Sequence, residues 1–116
     1  MAEYPELQLS QLDELRELTA AARRNDPRAQ AALGLAYELG HGVERDALLA
    51  AHFYHQAAES GECRAQFLLG NLYEHGVVAT PNPDIARIWF ARAAYCGHPA
   101  ALRRLEALAA SSLKDT

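Results

Sequence analysis

The chain repeats one pattern at a fixed offset of 36 residues. The stretch AQAALGLAYELGHGV, residues 29–43, is followed without a gap by AQFLLGNLYEHGVVA, residues 65–79. A fixed period in the mid-thirties is typical of a solenoid of helical hairpins, because each unit buries its apolar face against the next. The identical pairs include Ala29/Ala65, Gln30/Gln66, Leu33/Leu69, Gly34/Gly70, Tyr37/Tyr73, Glu38/Glu74, Gly40/Gly76, Ala50/Ala86, Ala57/Ala93, Ala58/Ala94 and Gly61/Gly97.

Each repeat is predicted to contain two helices. In the first repeat, apolar and small residues recur at helical spacing from Ala29 to Gly40. Gly40 is predicted to end that helix, because glycine accepts the left-handed conformation found there. Asp46 is predicted to cap a second helix that stops at Gly61. Half of the residues are apolar, chiefly alanine and leucine, which favours an all-α fold.

The second repeat and the two chain ends depart from this pattern. The segment TPNPD replaces the first repeat's loop, and Asp84 is predicted to cap a helix that starts two residues later. Ser10 and Asp13 resemble a capping box for the N-terminal helix. The predicted organisation is one domain, residues 1–116, with an N-terminal capping helix (10–24), repeat one (28–61), repeat two (64–97) and a C-terminal capping helix (98–112).

The two cysteines, Cys63 and Cys96, are 33 residues apart. This spacing fits none of the short metal-binding or redox motifs. We interpret them as free, partly buried thiols in a reducing compartment, with a disulfide or a redox role as the alternative.

The motif AxxALGxxYxxGxGVxxDxxxAxxFYxxAAxxG, read from Ala29 to Gly61, resembles the Sel-one-like repeat, a relative of the tetratricopeptide repeat. The second copy departs from the motif where Val78 replaces the second loop glycine. The resemblance implies a short right-handed α-solenoid (α/α superhelix) of about six antiparallel helices. It also implies a scaffold or adaptor that binds proteins or peptides along a concave face lined by the first helix of each repeat. The family shares no catalytic residues, and some bacterial members serve in secretion, virulence or toxin neutralisation.

The residues that bind a partner are predicted to lie between the repeating core positions on this concave face. Phe67 is the predicted anchor, with Asn71 beside it to bind a peptide backbone. Arginines there could bind a carboxylate bidentately. In the alternative interpretation, Phe67 packs against the neighbouring helix, and the arginines are solvated or paired with glutamates. The predicted partner-binding residues are Arg28, Leu35, Glu38, Arg64, Phe67, Asn71, Glu74 and Arg103.

Catalytic and cofactor chemistry finds little support in the sequence. The chain has five histidines, but no HExxH motif and no Cys/His cluster with zinc-site spacing. His52 and His55 are predicted to lie on a solvated convex face. No glycine-rich phosphate loop and no serine in a nucleophile elbow is present. We therefore predict no enzymatic activity, no cofactor and no metal.

Charge and hydropathy bear on the class of partner. The net charge is −4, with a sequence pI near 5.7 and dispersed arginines, which argues against nucleic acid as a partner. The N-terminus is acidic, and no apolar run is long enough to cross a bilayer. We therefore predict a cytoplasmic protein, bacterial to judge by its arginine-rich basic residues, with no membrane partner.

The sequence leaves two functions open. The first is an adaptor or scaffold that binds a protein segment in the concave groove. The second is a small dedicated inhibitor, of the immunity or antitoxin type, that occludes a partner enzyme. A homodimer is a further prediction, because the N-terminal segment carries Tyr4, Leu7, Leu9 and Leu12, more apolar surface than a capping helix must bury.

Overall fold

The computed structural model describes the backbone of residues 5–77 and 80–114 and the side chains of residues 11–77 and 80–111. This part of the chain is all-α, as predicted, and forms an elongated solenoid of 60 × 29 × 22 Å. Each helix packs against its neighbours along the chain. The helices are α1 (Pro5–Arg23), α2 (Pro27–Leu39), α3 (Ala47–Glu59), α4 (Cys63–His75), α5 (Pro83–Tyr95) and α6 (Pro99–Lys114).

The predicted helix ends of the first repeat are confirmed. Gly40 has φ 71° at the end of α2, a left-handed conformation that glycine adopts without steric penalty. Asp46 caps α3, and its Oδ1 accepts a hydrogen bond from the Leu49 backbone N–H at 3.1 Å. The α3 helix stops at Glu59, and Gly61 follows with φ 90°.

Two predicted helix starts are wrong. The α1 helix begins at Pro5, so Ser10 lies inside it and is not its cap. The α5 helix begins at Pro83, because proline at the first helical position loses no hydrogen bond and Asn82 supplies the cap. Asn82 Oδ1 accepts from the Ile85 backbone N–H at 3.1 Å.

Close helix packing explains the repeating glycine of the first helices. Tyr54 of α3 and Phe90 of α5 are fully buried. A Cβ atom on Gly34 would lie 2.7 Å from the Tyr54 ring, and one on Gly70 would lie 2.7 Å from the Phe90 ring. Because carbon atoms pack at about 3.5–4.0 Å, both positions need a residue without a side chain.

The repeating glutamine ties successive repeats together. Gln30 and Gln66 are buried, with exposed fractions of 3% and 7%. The Gln30 side-chain amide donates to the Ala22 carbonyl at 3.3 Å, and that of Gln66 donates to the Ala58 carbonyl at 3.2 Å. Each glutamine thereby joins the first helix of a repeat to the end of the helix before it.

The interpretation of Cys63 and Cys96 as free thiols is corrected by the structure, which pairs them in a disulfide. Cys63 opens α4, and Cys96 follows the last residue of α5. In an antiparallel hairpin the start of the first helix lies beside the end of the second, so the Cα atoms are 5.8 Å apart. The disulfide therefore closes the second repeat.

Candidate protein-binding surface

A cavity of about 250 Å³ opens between α1, α2 and the start of α4. Leucines and alanines provide its apolar surface, and Glu14, His41 and Arg64 add polar and charged groups. It is lined by Gln11, Glu14, Leu15, Leu18, Ala32, Leu35, Ala36, His41 and Arg64.

A second cavity of about 510 Å³ continues along the same two helices toward the start of α2. It shares Glu14 and Leu18 with the first cavity, so the two form one surface, which we call the α1–α2 groove. Its second part is lined by Glu14, Glu17, Leu18, Ala21, Asp26, Arg28 and Ala29.

Three of the predicted partner-binding residues meet in this groove. Leu35 is partly buried and lines the first cavity together with Arg64, which is exposed and belongs to the next repeat. Arg28 is exposed and lines the second cavity. An apolar depression with cationic and anionic groups beside it is the composition expected where a protein segment binds.

Glu38 is held by a contact within its own repeat. The Tyr54 hydroxyl donates a hydrogen bond to Glu38 Oε1 at 2.6 Å. Burial of the phenol, together with the neighbouring carboxylate, raises the pKa of Tyr54 above its usual range. The neutral hydroxyl is therefore a stable donor, and it fixes the position of the Glu38 carboxylate.

Glu74, the equivalent of Glu38, makes a different contact. Both of its carboxylate oxygens accept hydrogen bonds from Arg104 of α6, with the Nε–Oε1 distance at 3.2 Å and a shorter contact from Nη2. The glutamate does pair with an arginine, as the alternative interpretation anticipated, but the partner is a residue that was not predicted to line the surface. This bidentate pair joins α4 to α6.

Phe67 is partly buried between two rings. Its ring stacks on His98 with centroids 4.4 Å apart and lies 5.7 Å from the ring of Phe90. The position one repeat earlier, Ala31, is completely buried. In both repeats this position packs against the following helices, as the alternative interpretation of Phe67 anticipated. A binding role for Phe67 stays a prediction.

The two remaining predicted residues lie apart from the α1–α2 groove. Asn71 is partly buried on α4, and its backbone carbonyl lies 2.9 Å from His75 Nδ1. Arg103 is exposed on α6. Neither residue lines either cavity of the groove.

Sequence reasoning missed the contribution of α1. Glu14, Glu17 and Leu18 line the groove, although they lie outside the two full repeats. The signal was present in the register, since Leu18 is 36 residues before Tyr54, the side chain that contacts the preceding helix in the first repeat.

The described residues form neither a metal-binding cluster nor a membrane-spanning helix. No group of three or more His, Cys, Asp or Glu side chains in that part of the chain is placed to hold a metal ion. No described helix is both long enough and apolar enough to cross a bilayer.

Comparison with known proteins identifies one kind of repeat. The sequence profile of the Sel1 repeat matches residues 27–62 and 63–98. Chitin synthase regulatory factor 3 of Schizosaccharomyces pombe is 42% identical over 58 residues, which cover 50% of this chain and 6% of that protein. The chain thus corresponds to a small part of this curated relative.

Two solved structures have the same fold. A Sel1 repeat protein from Oxalobacter formigenes is 40% identical with a TM-score of 0.76, covering 78% of this chain and 68% of the other. A protective antigen present in uropathogenic Escherichia coli strains, which displays an SLR fold, is 28% identical with a TM-score of 0.81. That match covers 84% of this chain and 21% of the antigen.

Proposed function

The chain belongs to the Sel1 repeat family, and from this premise we propose that it is a non-catalytic adaptor that binds another protein through its concave face. Proteins of this family generally mediate protein–protein interactions, and the fold is typically an interaction module without catalytic activity. The proposal places the main contacts of the partner in the α1–α2 groove.

One observation carries this proposal: Leu35 and Arg64, from different repeats, line the same open cavity of about 250 Å³. The cavity combines apolar side chains with an exposed guanidinium, so it offers a partner both a surface to bury and a charge to pair. Glu38 and Glu74 lie outside the lining of the groove, and their carboxylates are already paired with Tyr54 and Arg104.

An adaptor role also agrees with the relative from Schizosaccharomyces pombe, which is named as a regulatory factor. A regulatory protein acts by holding another protein in place or by altering its activity. For this chain we propose the first mode, in which the repeat surface binds a segment of the partner and contributes no reacting group.

Affinity capture from the native cell tests the proposal. The test variant combines Leu35→Ser with Arg64→Ser, and the control combines Leu48→Ser with Arg24→Ser. Leu48 is 68% exposed and Arg24 is also exposed, and neither lines the groove, so the control removes the same side-chain types elsewhere.

We expect the wild type and the control to retain the same partner, and the test variant to lose most of it, because two groove contacts are removed together. Equal capture by the test variant would reject the groove as the binding site. If the captured partner is one tightly bound enzyme that the chain inhibits at a 1:1 ratio, the chain is a dedicated inhibitor and not an adaptor. Light scattering over a concentration series tests the predicted homodimer, which a constant monomer mass would contradict.

A further inference from the structure

The α1–α2 groove lies where the repeat would place a further helix. The α3 helix packs against both α2 and α4, and α5 packs against both α4 and α6. The α1 helix is of the same type by register and packs against α2. The face of α1 that corresponds to the α2-contacting face of α3 has no helix packed on it among the described residues. This face lines the open groove.

The register shows which side chains of α1 face that place. In the first repeat, Tyr54 contacts the Gly34 position of α2, and Phe53 stacks on Tyr37 with centroids 5.9 Å apart. The corresponding residues of α1 are Leu18 and Glu17. Both line the groove, as the register requires.

The side chains that α1 presents to the groove differ in two respects from those that α3 presents to α2 and α5 presents to α4. Leu18 is smaller than the tyrosine and the phenylalanine of the repeats, so the facing residue need not be glycine. The carboxylates of Glu14 and Glu17 replace Ala50 and Phe53, so the α1 side of the groove favours a facing helix with positive charge. Leu18, Ala21 and the buried Ala29 supply the apolar surface.

We propose that the α1–α2 groove binds an amphipathic helix of another protein, with an alanine or leucine facing Leu18 and basic residues facing Glu14 and Glu17. The inference rests on the proposed function and specifies the partner's chemistry. The bound helix takes the position that α2 takes beside α3, and it packs on α1 and α2 together.

A second copy of the chain fits the groove poorly. The last described helix, α6, corresponds by register to α2 and α4. In α6, Glu106 replaces the repeating glycine. Docked in register, the Glu106 carboxylate would face Leu18 and the nearby carboxylate of Glu14. Like charges brought together away from water are strongly unfavourable, so the register disfavours this pairing.

The probe is a helix-stapled peptide with the sequence of α2, carrying Gly34→Ala, Tyr37→Arg and Glu38→Arg. The α2 helix is the natural template because it fills the equivalent place one repeat later. A staple is needed because a helix this short is marginal in water. The control peptide carries Gly34→Ala and Tyr37→Glu, which places a carboxylate opposite Glu17.

Binding is measured by titrating the isotope-labelled full chain with each peptide and following its amide resonances. We expect the basic peptide to shift resonances of α1 and α2, and the acidic peptide to bind about 10-fold more weakly because it meets Glu17 with like charge. Shifts confined to α4 and α6 would overturn the inference.

Two matched protein variants test the charge directly. Both Glu17→Lys and Asp13→Lys reverse one exposed carboxylate of α1, but Asp13 does not line the groove. We expect Glu17→Lys to weaken the basic peptide about 10-fold and Asp13→Lys to change its affinity less than about twofold. Equal effects of the two variants would show that general charge, and not the groove, attracts the peptide.

Two further results separate this inference from the proposed function. If the groove variant Leu35→Ser with Arg64→Ser loses its native partner but neither peptide binds, the helix is rejected and the adaptor stands. If the wild type dimerises and Glu17→Lys abolishes the dimer, the groove holds a second copy and the inference is overturned.

Discussion

Replacing Gly70 by alanine sets two opposing effects against each other. Alanine is favoured over glycine inside a helix by about 1 kcal/mol. The new Cβ, however, would lie 2.7, 2.8 and 3.1 Å from three carbon atoms of the Phe90 ring. Since Phe90 is fully buried, the ring has nowhere open to move.

The steric effect is expected to win. The ring must retreat by roughly 1 Å to restore ordinary contact, and overpacking a core costs about 1–3 kcal/mol. With the upper end of that range, Gly70→Ala lowers the free energy of unfolding by about 2 kcal/mol after the helix gain. For a chain of this length that change lowers Tm by about 8 °C.

Glu106 provides the matched control, because it takes the same register position in α6. The difference between Glu106→Ala and Glu106→Gly measures the helix preference at an exposed site. The assay is urea unfolding followed by circular dichroism. A second variant, Phe90→Leu, should reduce the penalty of Gly70→Ala when the two are combined. If Gly70→Ala is as stable as the wild type, close ring packing is not the reason for the repeating glycine.

Three further predictions concern contacts that the repeat alone does not specify. Because the raised pKa of Tyr54 keeps its proton in the folded state, the contribution of Tyr54 to stability should be constant below about pH 10 and fall above it. Tyr54→Phe should remove much of that fall in pH-dependent urea unfolding. Replacing Cys63 and Cys96 together by serine should lower stability by about 3–4 kcal/mol, the value for a loop of this length, and a reductant should destabilise only the wild type. Arg104→Ala should destabilise the chain by roughly 1 kcal/mol at low salt and by less at high salt, and an effect independent of salt would contradict the ion pair.

The disulfide also bears on the predicted cytoplasmic location. Disulfides persist in oxidising compartments and are rare in reducing ones. Thiol labelling of the protein in its native cell would distinguish the two settings. Quantitative labelling of Cys63 and Cys96 would support the cytoplasm, and labelling only after reduction would contradict it.

Features that depend on neighbouring residues along the chain could be predicted from the sequence. The period, the hairpins, and the ends of α2 and α3 all follow from local spacing, because a cap or a left-handed glycine acts within a few residues. A wrong prediction also arose from local sequence where two capping signals lie close together. At the start of α5, Asn82 followed by Pro83 prevailed over Asp84, because proline suits the first helical position.

The facing of side chains was decided by the tertiary structure. The period shows that Ala31 and Phe67 are equivalent, but not whether that position faces solvent or the following helices. That depends on how far each helix is rotated about its axis when it packs. The same packing placed Cys63 beside Cys96, and it brought Arg28, Leu35 and Arg64 to a groove whose other wall is α1. The repeat in the sequence determines which residues of successive hairpins are equivalent. The rotation of each helix about its own axis is determined by the side chains that fill the space between the helices.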